Sequence, residues 1–307
     1  MADSTLKELV KNGDYKLLAR TLTRIENDLE GSEQLMKNLK IDLAIPVIGI
    51  TGPPGAGKST LINSLVNRIT NEKKRVGILV IDPTSPFTSG SLLGDRIRMS
   101  DQSTHSNVFI RSIATRGSLG GLSAKTFEMV DVLRSAGFDY VLVETVGVGQ
   151  SEIEIAGLAD ITIVVLIPEA GDEVQHIKSG LMEIADIFVV NKSDREGADT
   201  FANSLTKLLN QSQTKIPVIK TIATTSVGID ELYNKFSVVQ SAKPEKNISL
   251  LTEKAWQTIQ ARKMKLYNKE ALKKDIKKAI ESPDFNLYHF SEQWMSGKEN
   301  NIDKKVS

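Results

Sequence analysis

The chain has 307 residues and is 40% hydrophobic and 25% charged, long enough for one large core and too apolar to be wholly disordered. Lys+Arg number 39 against 38 Asp+Glu, a net charge of +1 that leaves no global footprint for nucleic acid. With no cysteine and three histidines (His105, His176, His289), disulfides, thiol catalysis, zinc–thiolate and iron–sulfur sites are excluded, and a histidine metal cage is disfavoured.

Residues 1–43 read as a helical extension. The opening MADSTLKELV lacks a basic segment followed by an apolar core, so it does not read as a secretory signal. A cytoplasmic location is expected, or an organelle matrix after loss of a presequence. Leu6, Leu9 and Val10 form a short face. After the Asn12-Gly13-Asp14 turn, Leu18, Leu22, Ile25 and Leu29 recur at helical spacing. A helical cap packed on the main domain is the reading.

Residues 44–240 alternate short apolar runs with helical stretches. The runs are Pro46–Thr51, Val76–Asp82, Val108–Ile113, Tyr140–Glu144, Ile161–Ile167, Ile187–Asn191 and Val218–Ile222. They are continuous rather than alternating, as strands buried on both faces require. The prediction is an α/β fold with a doubly wound, mostly parallel sheet. Ligands in such sheets bind beyond the carboxyl ends of the strands. The longest run, broken only by Thr162, is far short of the ~20 residues of a membrane span, and no membrane partner is expected.

The first strand leads into Gly52-Pro53-Pro54-Gly55-Ala56-Gly57-Lys58-Ser59, a full match to G-x-x-x-x-G-K-[ST], with Thr60 continuing into a helical stretch. The glycines permit close approach, the backbone N–H groups point inward, and the helix start adds positive potential, so the loop is a cradle for phosphates. Lys58 is expected to reach the β- and γ-phosphates and the Ser59 hydroxyl to ligate Mg²⁺. Pro53 stands where one ATPase subclass carries a second lysine, which disfavours that subclass. Asp82 ends the second strand. Glu144 ends the fourth and opens Glu144-Thr145-Val146-Gly147. A carboxylate there can hold Mg²⁺, though either residue alone could be a surface acid. Gly147 is placed to donate its N–H to the γ-phosphate.

Asn191-Lys192-Ser193-Asp194 ends the sixth strand as N-K-x-D. An ionised Asp194 accepts from guanine N1–H and the 2-amino group together, whereas adenine opposes a bare N1 lone pair to the carboxylate. Lys192 can lay its methylenes on the ring face, and Asn191 can bond the base and brace a neighbouring loop. Thr225 and Ser226 follow the seventh strand, where a last loop would back the guanine. The predicted ligands are GTP or GDP with Mg²⁺. Residues 241–307 carry 14 Lys+Arg against 9 Asp+Glu, a net of +5, and show a helical apolar stripe through Leu251, Ala255, Ile259 and Leu266, then Leu272, Ile276 and Ile280. A helix docked on its own domain and an arm pairing with another subunit both fit. The backbone from Gly297 on is expected to fray.

The strings GITGPPGAGKSTLI, IDPTSPFTSGSLLGDRIRM, FIRSIATRGSLGGLS, ETVGVGQSE and GDEVQHIKSGLMEIADIFVVNKSD resemble the MeaB-type P-loop GTPases over nearly the whole chain. These are chaperones of adenosylcobalamin-dependent methylmalonyl-CoA mutase, long labelled arginine/ornithine transport ATPases. The resemblance implies three parts: an N-terminal helical extension (1–43), a GTPase domain (44–240) and a C-terminal dimerisation arm (241–307), hence a homodimer. Pro83–Met99 then reads as a first switch, with Asp95 a candidate for Mg²⁺ or water and Arg96 and Arg98 for phosphate or partner. Gly147–Glu154 reads as a second switch and Gly171–Lys178 as a mobile segment answering to the partner. The position that often holds a water-orienting glutamine is Val148, with Gln150 two residues on, so slow intrinsic hydrolysis stimulated by a partner is expected. The implied role is gating adenosylcobalamin loading and protecting or reactivating an acyl-CoA mutase. A nickel-enzyme metallochaperone and a transport-associated ATPase or kinase are the alternatives.

Overall fold

The computed structural model describes residues 2–82, 105–114, 124–145, 155–169, 181–211, 216–241, 244–265, 267–282 and 284–306. All seven predicted runs are strands: β1 (Val47–Thr51), β2 (Val76–Asp82), β3 (Val108–Ala114), β4 (Tyr140–Thr145), β5 (Ile161–Leu166), β6 (Ile187–Val190) and β7 (Val218–Lys220). They form one parallel sheet in the order β3-β2-β4-β1-β5-β6-β7. β1 lies between β4 and β5, so the loop that leaves it opens at the carboxyl edge between two neighbours, where such sheets bind ligands.

The strands read as unbroken apolar runs because both faces are covered. On one face Ile48, Ile50, Ile78, Val80, Leu142, Ile163 and Val165 pack with α4 (Lys58–Asn71) and α7 (Ile229–Ser241) through Leu61, Leu65, Ile69, Leu232 and Phe236. On the other, Val47, Leu79, Ile81, Val141 and Val143 meet α1 (Ala2–Lys11), α2 (Lys16–Glu26) and α5 (Ala124–Ser135). There β5 and β6 meet α6 (Ala198–Gln211) through Val164, Phe188, Val190, Phe201 and Leu205. Each fully buried aliphatic side chain contributes about 1.5–3 kcal/mol, so the sheet is a rigid platform for the loops at its carboxyl edge.

The N-terminal helices hold to this platform through Leu18, Leu22 and Ile25, all fully buried. α3 (Ser32–Asn38) follows α2. Tyr15 donates its hydroxyl to Ser106 O at 2.6 Å and stacks near Phe138, and burial pushes its ionisation up to about 12. Arg111 on β3 donates to Thr23 (3.2 Å) and Glu26 (2.6 Å) on α2.

The chain divides into two compact units, one up to Glu253 and one from Lys254 on. The second contains the later part of α8 (Pro244–Lys265), then α9 (Lys269–Ala279) and α10 (Leu287–Val306). Asn268 caps α9 by accepting from Ala271 N at 2.9 Å, and Trp294 Nε1 donates to Asp275 Oδ2 at 3.0 Å. Helix α10 continues through Gly297 to Val306, beyond the point where fraying is expected, because the preceding turns offer its backbone partners and one glycine costs only about 1 kcal/mol.

Candidate nucleotide site

The loop from Gly52 to Gly57 joins β1 to α4, and its shape depends on two glycines. Gly52 has φ +139°, and a Cβ there would lie 2.1 Å from Val165 O on β5. Gly57, the residue before α4, has φ +85°, and a Cβ would lie 2.5 Å from Asn191 Nδ2. Side chains are therefore excluded both where the loop leaves the sheet and where it enters the helix. Lys58 is buried and donates its Nζ to Gly52 O (2.7 Å) and Pro53 O (3.0 Å), which fixes the ammonium within the loop.

Ser59, the second residue of α4, donates its hydroxyl to Glu144 Oε1 at 2.8 Å. Glu144 is buried near the end of β4 and stands level with Ile50 on β1 and Val80 on β2. A hydroxyl and a carboxylate oxygen in contact suit Mg²⁺, a hard cation that takes few protein ligands and keeps waters and phosphate oxygens. Below the loop, Thr145 donates to Thr51 Oγ1 at 2.9 Å, tying the ends of β4 and β1. Asp82 closes β2, separated from β1 by β4.

Asn191, fully enclosed at the end of β6, joins three loops. Its Nδ2 donates to Ala56 O (2.9 Å), while its Oδ1 accepts from Thr221 Oγ1 (3.0 Å) and Ala223 N (3.2 Å). Its bracing part is thus built entirely from protein partners. Lys192 has φ +56° and reaches back across the cradle, donating Nζ to Gly55 O at 2.8 Å. Ser193 N donates to Thr221 O at 3.0 Å, and Asp194 is exposed beyond it. Arg195 pairs with Glu169 after β5 and holds that carboxyl below its ordinary value.

The loop after β7 carries the turn Ala223–Thr225 and Ser226 at φ +60°, closed by the Ile222–Val227 bridge; Thr225 and Ser226 are exposed. Sequence reasoning missed the anchor of this loop. Ser64, nearly two turns into α4 and buried, donates its hydroxyl to Ala223 O at 2.5 Å. A small polar residue among apolar neighbours on the sheet-facing side of α4 was the available signal. Replacing Ser64 with Ala leaves Ala223 O without this donor. We expect GTP affinity to fall about threefold to tenfold, with affinity for inorganic tripolyphosphate unchanged, by competition against a fluorescent nucleotide. An equal loss for both ligands would contradict this role.

The structure thus brings together Gly52, Pro53, Pro54, Gly55, Ala56, Gly57, Lys58, Ser59 and Thr60 with Glu144, Asn191 and Lys192, and sets Asp194, Thr225 and Ser226 on the adjoining loops. Asp95, Gly147 and Gln150, with the two switch segments and the segment Gly171–Lys178, lie outside the described residues.

A parallel sheet with this loop at the end of its central strand and this helix behind it is a P-loop nucleotide-binding fold. A family model described as "Methylmalonyl Co-A mutase-associated GTPase MeaB" matches residues 18–281. The chain belongs to the MeaB family. It is 50% identical over 238 residues to a Pyrococcus horikoshii protein named as a GTPase, covering 75% of each chain. It is 39% identical over 210 residues to the mouse protein named "Methylmalonic aciduria type A homolog, mitochondrial", covering 66% of this chain and 50% of that one. A crystal structure described as LAO/AO transport system kinase superposes with a TM-score of 0.67 at 25% identity, covering 97% of this chain and 92% of that one.

Proposed function

We propose that the chain binds GTP with Mg²⁺ and hydrolyses it, and that the nucleotide state controls its grip on an adenosylcobalamin-dependent acyl-CoA mutase, with methylmalonyl-CoA mutase as the leading client. The observation that carries the nucleotide part is Asn191, whose amide joins the phosphate loop at Ala56 to the loop after β7 at Ala223. A base held at Asp194 and phosphates held at Lys58 would then share one rigid frame. Lys58 neutralises phosphate charge, Ser59 and Glu144 hold the cation, and Asp194 selects guanine. Mg²⁺ supplies further neutralisation of charge on the transferring phosphoryl group. Asp82 and Asp95 are proposed to support the cation, Gly147 to donate to the γ-phosphate, and Gln150 to act in the second switch.

The client is proposed from the family description and from the name of the mouse relative. Val148 puts an apolar side chain where a water-orienting glutamine often stands, so hydrolysis by the chain alone is slow and a partner that orders the switches speeds it. The C-terminal helices are proposed as the homodimer arm of a cytoplasmic protein. Among the described residues from Lys254 on none is buried, and Trp256, Ile259 and Met264 are each more than half exposed. No described helix is long and apolar enough to cross a membrane.

Single-turnover assays with the pure chain should show slow GTP cleavage, accelerated by added mutase. Fast cleavage without a partner would contradict the switch reading. Co-purification with a non-hydrolysable GTP analogue should retain an acyl-CoA mutase, and its absence would remove the client. Competition between GTP and ATP separates this reading from a transport-associated kinase, which would favour ATP.

A further inference from the structure

The N-terminal helices carry a groove that the nucleotide chemistry does not use. It has a volume of about 620 Å³ and runs along the outward face of α2. Leu17, Leu29, Leu35 and Leu39 give its walls, and Arg20 and Arg24 stand on the same face one turn apart. The inward face of α2, with Leu18, Leu22 and Ile25, is already spent on the core. Leu17 and Leu29 remain 37% and 51% exposed, which apolar side chains beside a concave surface do not require for folding. Among the described residues no carboxylate pairs with Arg20 or Arg24, and none lines the groove. Two acids at the end of α2 and just beyond it are engaged elsewhere, Glu26 by Arg111 and Asp28 by Lys125.

We propose that this groove docks an amphipathic helix of a partner protein that presents leucine-type side chains flanked by two carboxylates one turn apart. Two guanidiniums at i and i+4 match two carboxylates at the same spacing on a facing helix, and apolar anchors fill the leucine walls. The open groove favours a helix over a small acid, because a helix brings its own roof and desolvates the leucines as it lands. Residues 241–307 of this chain hold 14 Lys+Arg against 9 Asp+Glu, a net positive charge that opposes their docking beside Arg20 and Arg24. The proposed occupant is an acidic helix of a different protein.

The test uses the full chain and two fluorescein-labelled helical peptides with identical leucine faces, one flanked by glutamates and the other by lysines, read by fluorescence anisotropy. The glutamate peptide should bind and the lysine peptide should bind at least about tenfold more weakly. The double variant Arg20→Glu, Arg24→Glu should reverse that order, and Leu17→Asp should weaken the glutamate peptide. GTP-analogue affinity should stay unchanged in each variant, which shows that the chain is folded. Binding of neither peptide, equal binding of both, or no reversal in the double variant would overturn the proposal. So would binding of fluorescein-labelled dodecanoate with no binding of either peptide, which would make the groove a small-acid site.

Discussion

Exchanging Asp194 for Asn should turn a GTP-preferring protein towards XTP. The carboxylate at this position can accept two hydrogen bonds from guanine, at N1–H and at the 2-amino group. An amide offers one acceptor and one donor, which leaves the guanine amino group facing another N–H. Xanthine carries a carbonyl where guanine has its amino group, and that carbonyl accepts from the new amide. A bidentate base contact is worth about 1–3 kcal/mol, so GTP affinity should drop by roughly tenfold to a hundredfold while XTP affinity rises. The neighbouring geometry supports an effect confined to the base. Asp194 is exposed, and the bonds that fix its loop come from Ser193 N to Thr221 O and from Asn191, not from its own side chain. Competition of GTP, XTP and ATP against a fluorescent nucleotide reads all three. Unchanged GTP affinity in Asp194→Asn would show that this residue does not face the base.

The other large effect is expected at Gly52. With φ +139° and the site of a Cβ 2.1 Å from Val165 O, alanine meets both a forbidden backbone region and a carbonyl in the middle of a parallel sheet. Neither β1 nor β5 can give way without breaking the ladder between them, so the loop must swing out. The carbonyls of Gly52 and Pro53 then no longer hold Lys58, and the phosphate cradle is lost. We expect Gly52→Ala to lose about 2–4 kcal/mol of stability in urea unfolding and to abolish measurable GTP binding. Gly55→Ala is the internal control. Its φ is also positive, at +77°, but a Cβ there has open space around it, so the cost is only about 1–2 kcal/mol of backbone strain. Nucleotide binding by Gly52→Ala comparable to that of Gly55→Ala would contradict the role assigned to the loop's entry.

The sheet was legible because each strand is a continuous apolar run, and only a sheet covered on both faces calls for such runs. The phosphate loop and the N-K-x-D tetrapeptide were legible because each is a local string whose chemistry needs no distant partner to be recognised. What local strings do not contain is how the loops lock together. Asn191 grips Ala56, 135 residues earlier, and Ser64 holds Ala223, 159 residues later. Those contacts exist only once β1, β6 and β7 are in register, so spacing along the chain carries no trace of them. Lys192 shows the same limit. Its methylene stem was readable as a cover for the base, whereas its bond to Gly55 O depends on a positive φ that a lysine rarely adopts. The groove on α2 is a further case. Leu29 reads in sequence as part of the buried helical stripe, but it lies beyond the end of α2 at Glu26 and stays 51% exposed.

The central claim is that guanine triphosphate and magnesium are held together in the frame formed by the loop at Gly52–Ser59, Glu144 and the Asn191–Asp194 loop. Isothermal titration calorimetry of GTP into the pure chain with Mg²⁺ measures it directly. The account predicts saturable heat that GDP competes away, ATP reproduces only weakly and chelation of Mg²⁺ diminishes. A flat titration, or heat with ATP equal to that with GTP, would contradict it.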